Sequence, residues 1–265
     1  MNGRVLVIAG SDSGGGAGIQ ADIKAIMAMG GYAATAVTAL TAQNTLGVHG
    51  VHPVPVAFLR QQMRVVLEDI GADAVKTGML GDAETVEAVA DELERSARGV
   101  PLVVDPVMVA KGGAPLLAGR AIDAVRSRLL PLATLLTPNV PEAEALLGRR
   151  VTETREAAAA LRGAGAGAVL VKGGHLEGAR VIDALATADG VQTFEMGRID
   201  TPHTHGTGCT LASAIAAGLA QGMQLRDAIA RARAYVQEAI RTAPGFGHGH
   251  GPLNHSALCP ARVPS

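Results

Sequence analysis

The sequence predicts an α/β fold, a three-layer α/β/α sandwich around a mostly parallel central sheet, and three observations carry that expectation. Short apolar runs recur along the 265 residues, separated by stretches with helical spacing. The runs are apolar throughout rather than alternating, as strands covered on both faces are. Nearly all of them end in a polar or glycine-rich segment. One domain covering residues 1–265 is expected, because this length suits a large α/β domain with one continuous core.

Taken in order, Val5-Leu6-Val7-Ile8-Ala9 reads as a strand stopped at Gly10, and 19–29 then shows helical spacing, so the chain opens strand, Gly-rich loop, helix. Further strands are expected at 33–40, 74–77, 102–105, 132–137, 168–171 and 181–185, and helices between them at 56–69, 83–98, 120–130, 141–147 and 155–162. Regular alternation of this kind implies βα units and a sheet buried on both faces. Residues 163–167, Gly-Ala-Gly-Ala-Gly, join a helix to a strand over too short a distance for a linker and read as a turn. Beyond residue 201 the strands stop, and helices are expected at 207–220 and 225–242.

Composition narrows the partners. The chain is 48% hydrophobic but only 2% aromatic, with no tryptophan, so its core is built from Ala, Val, Leu and Ile. A net charge of −1 provides no field to gather nucleic acid or an anionic membrane, and so few rings cannot form stacking platforms for single strands. A small-molecule ligand is expected, with neither nucleic acid nor membrane as partner. Cys209 lies in a glycine-rich turn and Cys259 in a Pro-bounded tail, which suggests no disulfide framework and fits a reducing cytoplasm. No run approaches the roughly 20 apolar residues of a membrane span, and the first apolar stretch is too short for a signal peptide.

Ligands of open parallel sheets sit beyond the carboxyl ends of the strands. Those ends read Gly10-Ser11-Asp12, Thr41-Ala42-Gln43-Asn44, Thr77-Gly78-Met79, Asp105-Pro106-Val107, Thr137-Pro138-Asn139 and Lys172-Gly173-Gly174. Gly206-Thr207-Gly208-Cys209-Thr210 opens a helix of small residues, and successive N–H groups freed of side chains form an anion nest suited to a phosphate. The field at that helix start favours a Cys209 thiolate, although the same pattern also describes a tight turn into a core with an inert cysteine. Asp105 ends an apolar strand, where a carboxylate needs a partner. Asn139 and Glu142 share one turn of a helix start. Together Asp105, Asn139 and Glu142 could organise Mg²⁺ and a triphosphate, while capping or ion pairing would equally account for the two acids. Lys172 could reach a phosphate or be a turn lysine, and the Gln43 amide could read a ring nitrogen and an exocyclic amine or be an ordinary loop residue.

Two nucleotide-binding patterns fail. Gly16-x-Gly18-x-x-Ala21 fits the loose dinucleotide fingerprint, but no acid occurs between Asp22 and Glu68 to hold a ribose, and no P-loop motif is present. The histidines of Gly247-His248-Gly249-His250-Gly251, with His203, His205 and His255, lack structural zinc spacing and read as a loop.

The segments Ala9-Gly10-Ser11-Asp12-Ser13-Gly14-Gly15-Gly16-Ala17-Gly18-Ile19-Gln20-Ala21-Asp22, Thr38-Ala39-Leu40-Thr41-Ala42-Gln43-Asn44-Thr45, Asp105-Pro106-Val107-Met108, Val171-Lys172-Gly173-Gly174-His175 and Thr204-His205-Gly206-Thr207-Gly208-Cys209-Thr210 occur in this order. In that order the sequence resembles the hydroxymethylpyrimidine and phosphomethylpyrimidine kinases of thiamine biosynthesis, almost from end to end. The resemblance implies a ribokinase-like fold, ATP as phosphate donor with Mg²⁺, and two successive phosphorylations of a small pyrimidine. A cytoplasmic homo-oligomer, a dimer, is expected. The resemblance also implies Cys209 as catalytic base within a Gly206, Thr207, Gly208 nest, and Gln43 as the pyrimidine reader. Gly10, Asp22, Thr41, Met79 and Val107 would line that pocket, Asn139, Glu142 and Lys172 would bind nucleotide, and Asp105 with Glu142 would hold the metal. Thr41 departs from the family pattern, where an apolar residue also occurs. A pyridoxine or pyridoxal kinase of the same fold is the nearest alternative, followed by a pyrimidine-binding protein without catalysis.

Overall fold

Val5 to Ala9 is apolar at every position because both sides of its strand are covered. In the computed structural model, which describes residues 1–108, 119–176 and 178–257, Val5, Val7 and Ala9 join one core cluster while Leu6 and Ile8 join the other. The expected loop near Ala110 to Ala114, and Cys259, lie outside the described residues.

The chain runs β1 (Arg4–Asp12), α1 (Gly18–Ala28), β2 (Tyr32–Asn44), β3 (Gly47–Pro53), α2 (Val56–Asp69), β4 (Ala74–Thr77), α3 (Ala83–Ser96) and β5 (Leu102–Val104). It continues through α4 (Arg120–Ala124), β6 (Leu135–Leu136), α5 (Val140–Leu147), α6 (Thr154–Gly163), β7 (Val169–Val171), β8 (Arg180–Thr187), β9 (Gly190–Gly197), α7 (Thr207–Ala220) and α8 (Leu225–Arg241). Among the described residues the strands form one sheet in the order β3-β2-β1-β4-β5-β6-β7-β8-β9. The centre, from β2 to β7, is parallel, as the sequence predicts. Both edges are antiparallel, β3 on β2 and β8 and β9 on β7. Helices α1, α7 and α8 bury their apolar sides against one face of the sheet, and α2 to α6 against the other.

Three expectations need correction. The strands β3 and β9 were not anticipated: β3 is exposed along most of its length and carries glycine, histidine and proline, so no apolar period marks it. The strand expected at 132–137 is only Leu135–Leu136. The helix expected at 120–130 is α-helical only to Ala124, widens over Val125–Leu129 and tightens over Leu130–Leu132 around Pro131, which cannot supply a backbone donor.

The chain leaves β1 for β2 on one side, then returns through β4 on the other. Loops after β1 and β4 therefore diverge and open a crevice at their carboxyl ends. Among the described residues no helix is long and apolar enough to cross a membrane.

Candidate active site

That crevice is a cleft of about 990 Å³, lined among others by Gly10, Thr41, Gln43, Met79, Asp105, Val107, Asn139, Glu142, Lys172 and Gly206 to Cys209. Residues from six strand ends and one helix start, far apart in sequence, thus share one wall.

Helix α7 aims its amino end into the cleft. Gly206 caps it with φ 83° and ψ 5°, and a Cβ there would lie 1.8 Å from the carbonyl oxygen of Gly16, so only glycine lets the two Gly-rich loops touch. Thr210 N–H bonds the Gly206 carbonyl and Thr207 N–H reaches Thr204. The N–H groups of Gly208 and Cys209 have no acceptor within the helix, as the first turn of any α-helix dictates. They add positive potential at the helix mouth.

Opposite this mouth Lys172 Nζ stands 2.9 Å from Asp105 Oδ1 and 3.8 Å from Glu142 Oε2. A Cβ on Gly208 would come within 3.2 Å of the same ammonium, so the glycine keeps it close to the nest. Asn139 and Glu142 form a capping box on α5: Glu142 N–H donates to Asn139 Oδ1 at 2.9 Å and Asn139 N–H to Glu142 Oε2 at 2.7 Å. Both alternatives weighed for Glu142, cap and ion pair, are therefore realised. Burial pushes the Glu142 carboxyl up to about 7, against the pull of Lys172 and with reinforcement from Asp105. For Lys172 burial acts downward, but Asp105 and Glu142 outweigh it and the ammonium is raised. The Lys172 turn is itself anchored, since Gly173 N–H donates to Asp183 Oδ1 at 2.8 Å and Asp183 Oδ2 accepts from Arg233 at 2.8 Å.

Cys209 borders the cleft, and Gly18 N–H donates to its sulfur. The depressed thiol expected from its place at a helix start is not what this environment produces. Burial pushes Cys209 up to about 12; Lys76 pulls it down, while Asp22 and Asp105 push it further up.

Asp22 also departs from expectation. It is fully buried behind the cleft wall rather than on it, with its oxygens 2.8 and 3.0 Å from Lys76 Nζ and accepting from Ser213 Oγ at 2.7 Å. The residue that does reach the cleft from this pair is Lys76. Burial disfavours its charge, yet Asp22, Cys209 and Asp105 raise the ammonium overall. Lys76 escaped the sequence reading, although a lysine inside the otherwise short and apolar β4 was a visible signal.

On the β1–β2 side, Asp12 accepts from the N–H groups of Gly14, Gly16 and Ala17 at 2.8, 3.0 and 2.8 Å. It also lies 3.0 Å from His205 Nε2. Burial opposes its ionisation, but the His205 ring and the Ala17 and Gly14 N–H groups outweigh that and hold Asp12 below the usual carboxylate value. His205 is held by its own backbone, N–H to the Gly251 carbonyl, and touches Gln43. The loop reading of the histidine tract fits His250, which bonds Thr45 and Pro202, but His205 is a buried member of the cleft wall.

Residues 12–254 match the phosphomethylpyrimidine kinase family. The chain belongs to that family. It is 50% identical to the hydroxymethylpyrimidine/phosphomethylpyrimidine kinase of Streptomyces coelicolor, over 95% of this chain and 93% of that one. It is 54% identical to the thiamine biosynthesis bifunctional protein ThiED of Geobacter sulfurreducens, where 96% of this chain spans 52% of the longer protein. Among solved structures, the phosphomethylpyrimidine kinase of Clostridium difficile is 38% identical with a TM-score of 0.79, covering 89% of this chain and 99% of that one. Bacillus subtilis pyridoxal kinase, in an ADP complex, is 36% identical with a TM-score of 0.89, covering 97% of this chain and 99% of that one. The cleft bounded by the α7 mouth and the β2 end is the candidate site of this kinase family member.

Proposed function

We propose that the chain transfers the γ-phosphoryl group of ATP to the hydroxymethyl oxygen of 4-amino-5-hydroxymethyl-2-methylpyrimidine, and then to the resulting monophosphate, giving the diphosphate used in thiamine biosynthesis. The observation that carries this reading is one cleft in which the Gly206–Cys209 helix mouth lies between the Gln43 wall and the Lys172–Asp105–Glu142 cluster.

Phosphoryl transfer needs alignment and charge neutralisation more than covalent chemistry. Gln43, with Thr41, Gly10, Met79 and Val107, would hold the pyrimidine so that its hydroxymethyl points at Cys209. The N–H groups of Gly208 and Cys209 would take the transferring phosphoryl, and Lys172 would offset charge on the triphosphate. Asn139 and Glu142 would border the nucleotide. As base, Cys209 would receive the hydroxymethyl proton as the oxygen attacks phosphorus, with the leaving ADP taking the bond electrons. The lysine at position 76 and the Gly18 N–H favour the thiolate that this requires, and neutralising Asp105 would remove one of the charges that oppose it.

Asp105 and Glu142 fit Mg²⁺ as a partial shell, since this ion takes one or two carboxylates and completes its octahedron with water and phosphate oxygens. The ammonium of Lys172 already lies between the two acids, which marks the place as one that stabilises a cation. Bound there, Mg²⁺ would supply charge neutralisation of the phosphates. A cytoplasmic dimer belongs to the same reading, and sedimentation of the purified chain tests the assembly.

A second reading, pyridoxal kinase, is favoured by the likeness to solved pyridoxal kinases. The experiment that separates the two supplies ATP and Mg²⁺ with the hydroxymethylpyrimidine, its monophosphate or pyridoxine and resolves products by mass. Pyrimidine mono- and diphosphate are expected. Phosphorylation of pyridoxine alone would replace the first reading by the second, and binding of the pyrimidine without turnover of any substrate would leave a non-catalytic protein.

A further inference from the structure

Gln43 is placed to read a heterocycle, and its amide has two faces that differ only in where oxygen and nitrogen sit. As placed, its Nε2 is 3.3 Å from His205 Nε2 and its Oε1 is 3.1 Å from Thr41 Oγ1. Counting protons shows that this assignment cannot stand. Asp12 accepts three backbone N–H groups, which an ionised carboxylate satisfies, so the 3.0 Å contact with His205 Nε2 requires the ring to donate there. A protonated Nε2 facing the Gln43 NH₂ sets donor against donor. At the other end, Thr41 has one hydroxyl proton and two acceptors within reach, and the nearer, the Ser11 carbonyl at 2.9 Å against Gln43 Oε1 at 3.1 Å, takes it. Two oxygens, Thr41 Oγ1 and Gln43 Oε1, would then face each other with no hydrogen between them. Turning the amide by 180° relieves both conflicts and moves no heavy atom appreciably.

We infer that Asp12 and His205 are positioning residues that fix the Gln43 amide with its oxygen toward His205 and its NH₂ toward Thr41, and so select which heterocycle edge the site accepts. The inference rests on the reading of this pocket as an aminopyrimidine site. In that orientation the amide keeps one N–H on the Thr41 side and one lone pair on the His205 side for a ligand. A 4-aminopyrimidine edge, amine donor beside ring-nitrogen acceptor, matches this pair in one pose. A 4-oxo ring presents the reverse pair, carbonyl acceptor beside N–H donor, and would need the amide turned back against His205 and Thr41. Thr41, at a position where an apolar residue also occurs, thereby acquires a role as the acceptor that holds the NH₂ in place.

The test compares kcat/KM of the full-length enzyme, with saturating ATP, on the hydroxymethyl-4-aminopyrimidine and on its 4-oxo counterpart. In His205→Leu the amide is free to turn, and the amino-to-oxo ratio is expected to fall on the order of tenfold, the worth of about one hydrogen bond, chiefly through KM for the pyrimidine. His205→Gln, whose amide nitrogen reaches the Nε2 position and donates twice, is expected to keep the wild-type ratio. An unchanged ratio in a folded His205→Leu enzyme overturns the inference. No turnover or binding of the aminopyrimidine by wild type overturns the underlying reading instead. Wild type labelled with ¹⁵N at histidine and glutamine decides the matter without any variant. A protonated His205 Nε2, with Gln43 amide protons nearer the Thr41 methyl than the imidazole, is expected, and an unprotonated Nε2 overturns the inference.

Discussion

At the scale of single residues, Cys209 is pulled two ways. Its position at the start of α7 and the nearby Lys76 favour the anion, while burial and two carboxylates hold the thiol up to about 12 in the free protein. The proposed role of Cys209 as base therefore depends on what binding does to Asp105. Cys209→Ala should lower kcat by roughly 10²–10⁴, the worth of a positioned base, while pyrimidine affinity measured by calorimetry stays within about threefold. Comparable turnover in the variant would show that the proton leaves by another route. Lys76 and Asp22 form a pair with both side chains at 0% exposure. Breaking such a pair from one side strands a buried charge, so Lys76→Met should cost about 3–5 kcal/mol in urea unfolding. The double variant Lys76→Met/Asp22→Leu should recover most of that loss, and a single variant as stable as wild type would contradict the argument. Neither partner of this pair was legible as such: they are 54 residues apart, on a helix and a strand, and no local pattern joins them.

At the scale of elements, the meeting of two Gly-rich loops positions the nest. The loop after β1 presents the Gly16 carbonyl to Gly206, and a methyl at residue 206 would overlap it. Gly206→Ala should leave the helical circular dichroism unchanged and lower kcat/KM on the order of 10²-fold, because a displacement of about 1 Å at a transferring group has that effect. Full activity would mean that the loops need not touch. How far elements could be read from sequence followed burial. The helix α2 and the strand β4 match the expected 56–69 and 74–77 to the residue, since glycines follow each and the apolar periods between are clean. The edge strands β3 and β9 could not be found this way, because neither buries a residue on either face and so neither carries an apolar period. The site was legible to the same extent. Gln43 closes the carboxyl end of β2, and Asp105, Asn139, Lys172 and Cys209 lie just after strands or at a helix start, where a parallel sheet gathers its loops. Asp12 and His205, 193 residues apart, meet only through the fold.

At the scale of the molecule, one sheet carries the whole core, and residues 1–265 are expected to unfold in urea as a single transition at every probe. Two separated transitions would argue for two domains. The segment 251–257 lies against the rest of the chain: Asn254 N–H bonds the Ala239 carbonyl, Tyr235 Oη donates to the His255 carbonyl, and His255 Nε2 pairs with Thr210 Oγ1 at 3.0 Å. Burial, helped by Lys24, lowers the His255 ring from 6.5 to about 4. Its native form is neutral where the unfolded ring takes up a proton, so its contribution to stability is complete above about pH 6.5 and is lost as pH falls toward 4. The unfolding free energy from urea titration should drop across this window in wild type, on the order of 2–3 kcal/mol for a shift of this size, and drop less in His255→Gln; equal slopes would remove His255 from the account.

The same segment has a consequence for how the enzyme is made. His205 is held by Gly251, and Thr210, one residue past Cys209, by His255. Every strand of the described sheet lies before residue 198, more than fifty residues ahead of this segment. The sheet can thus be fully paired while this corner of the cleft is still open, because the contacts that close it come from residues 251–257.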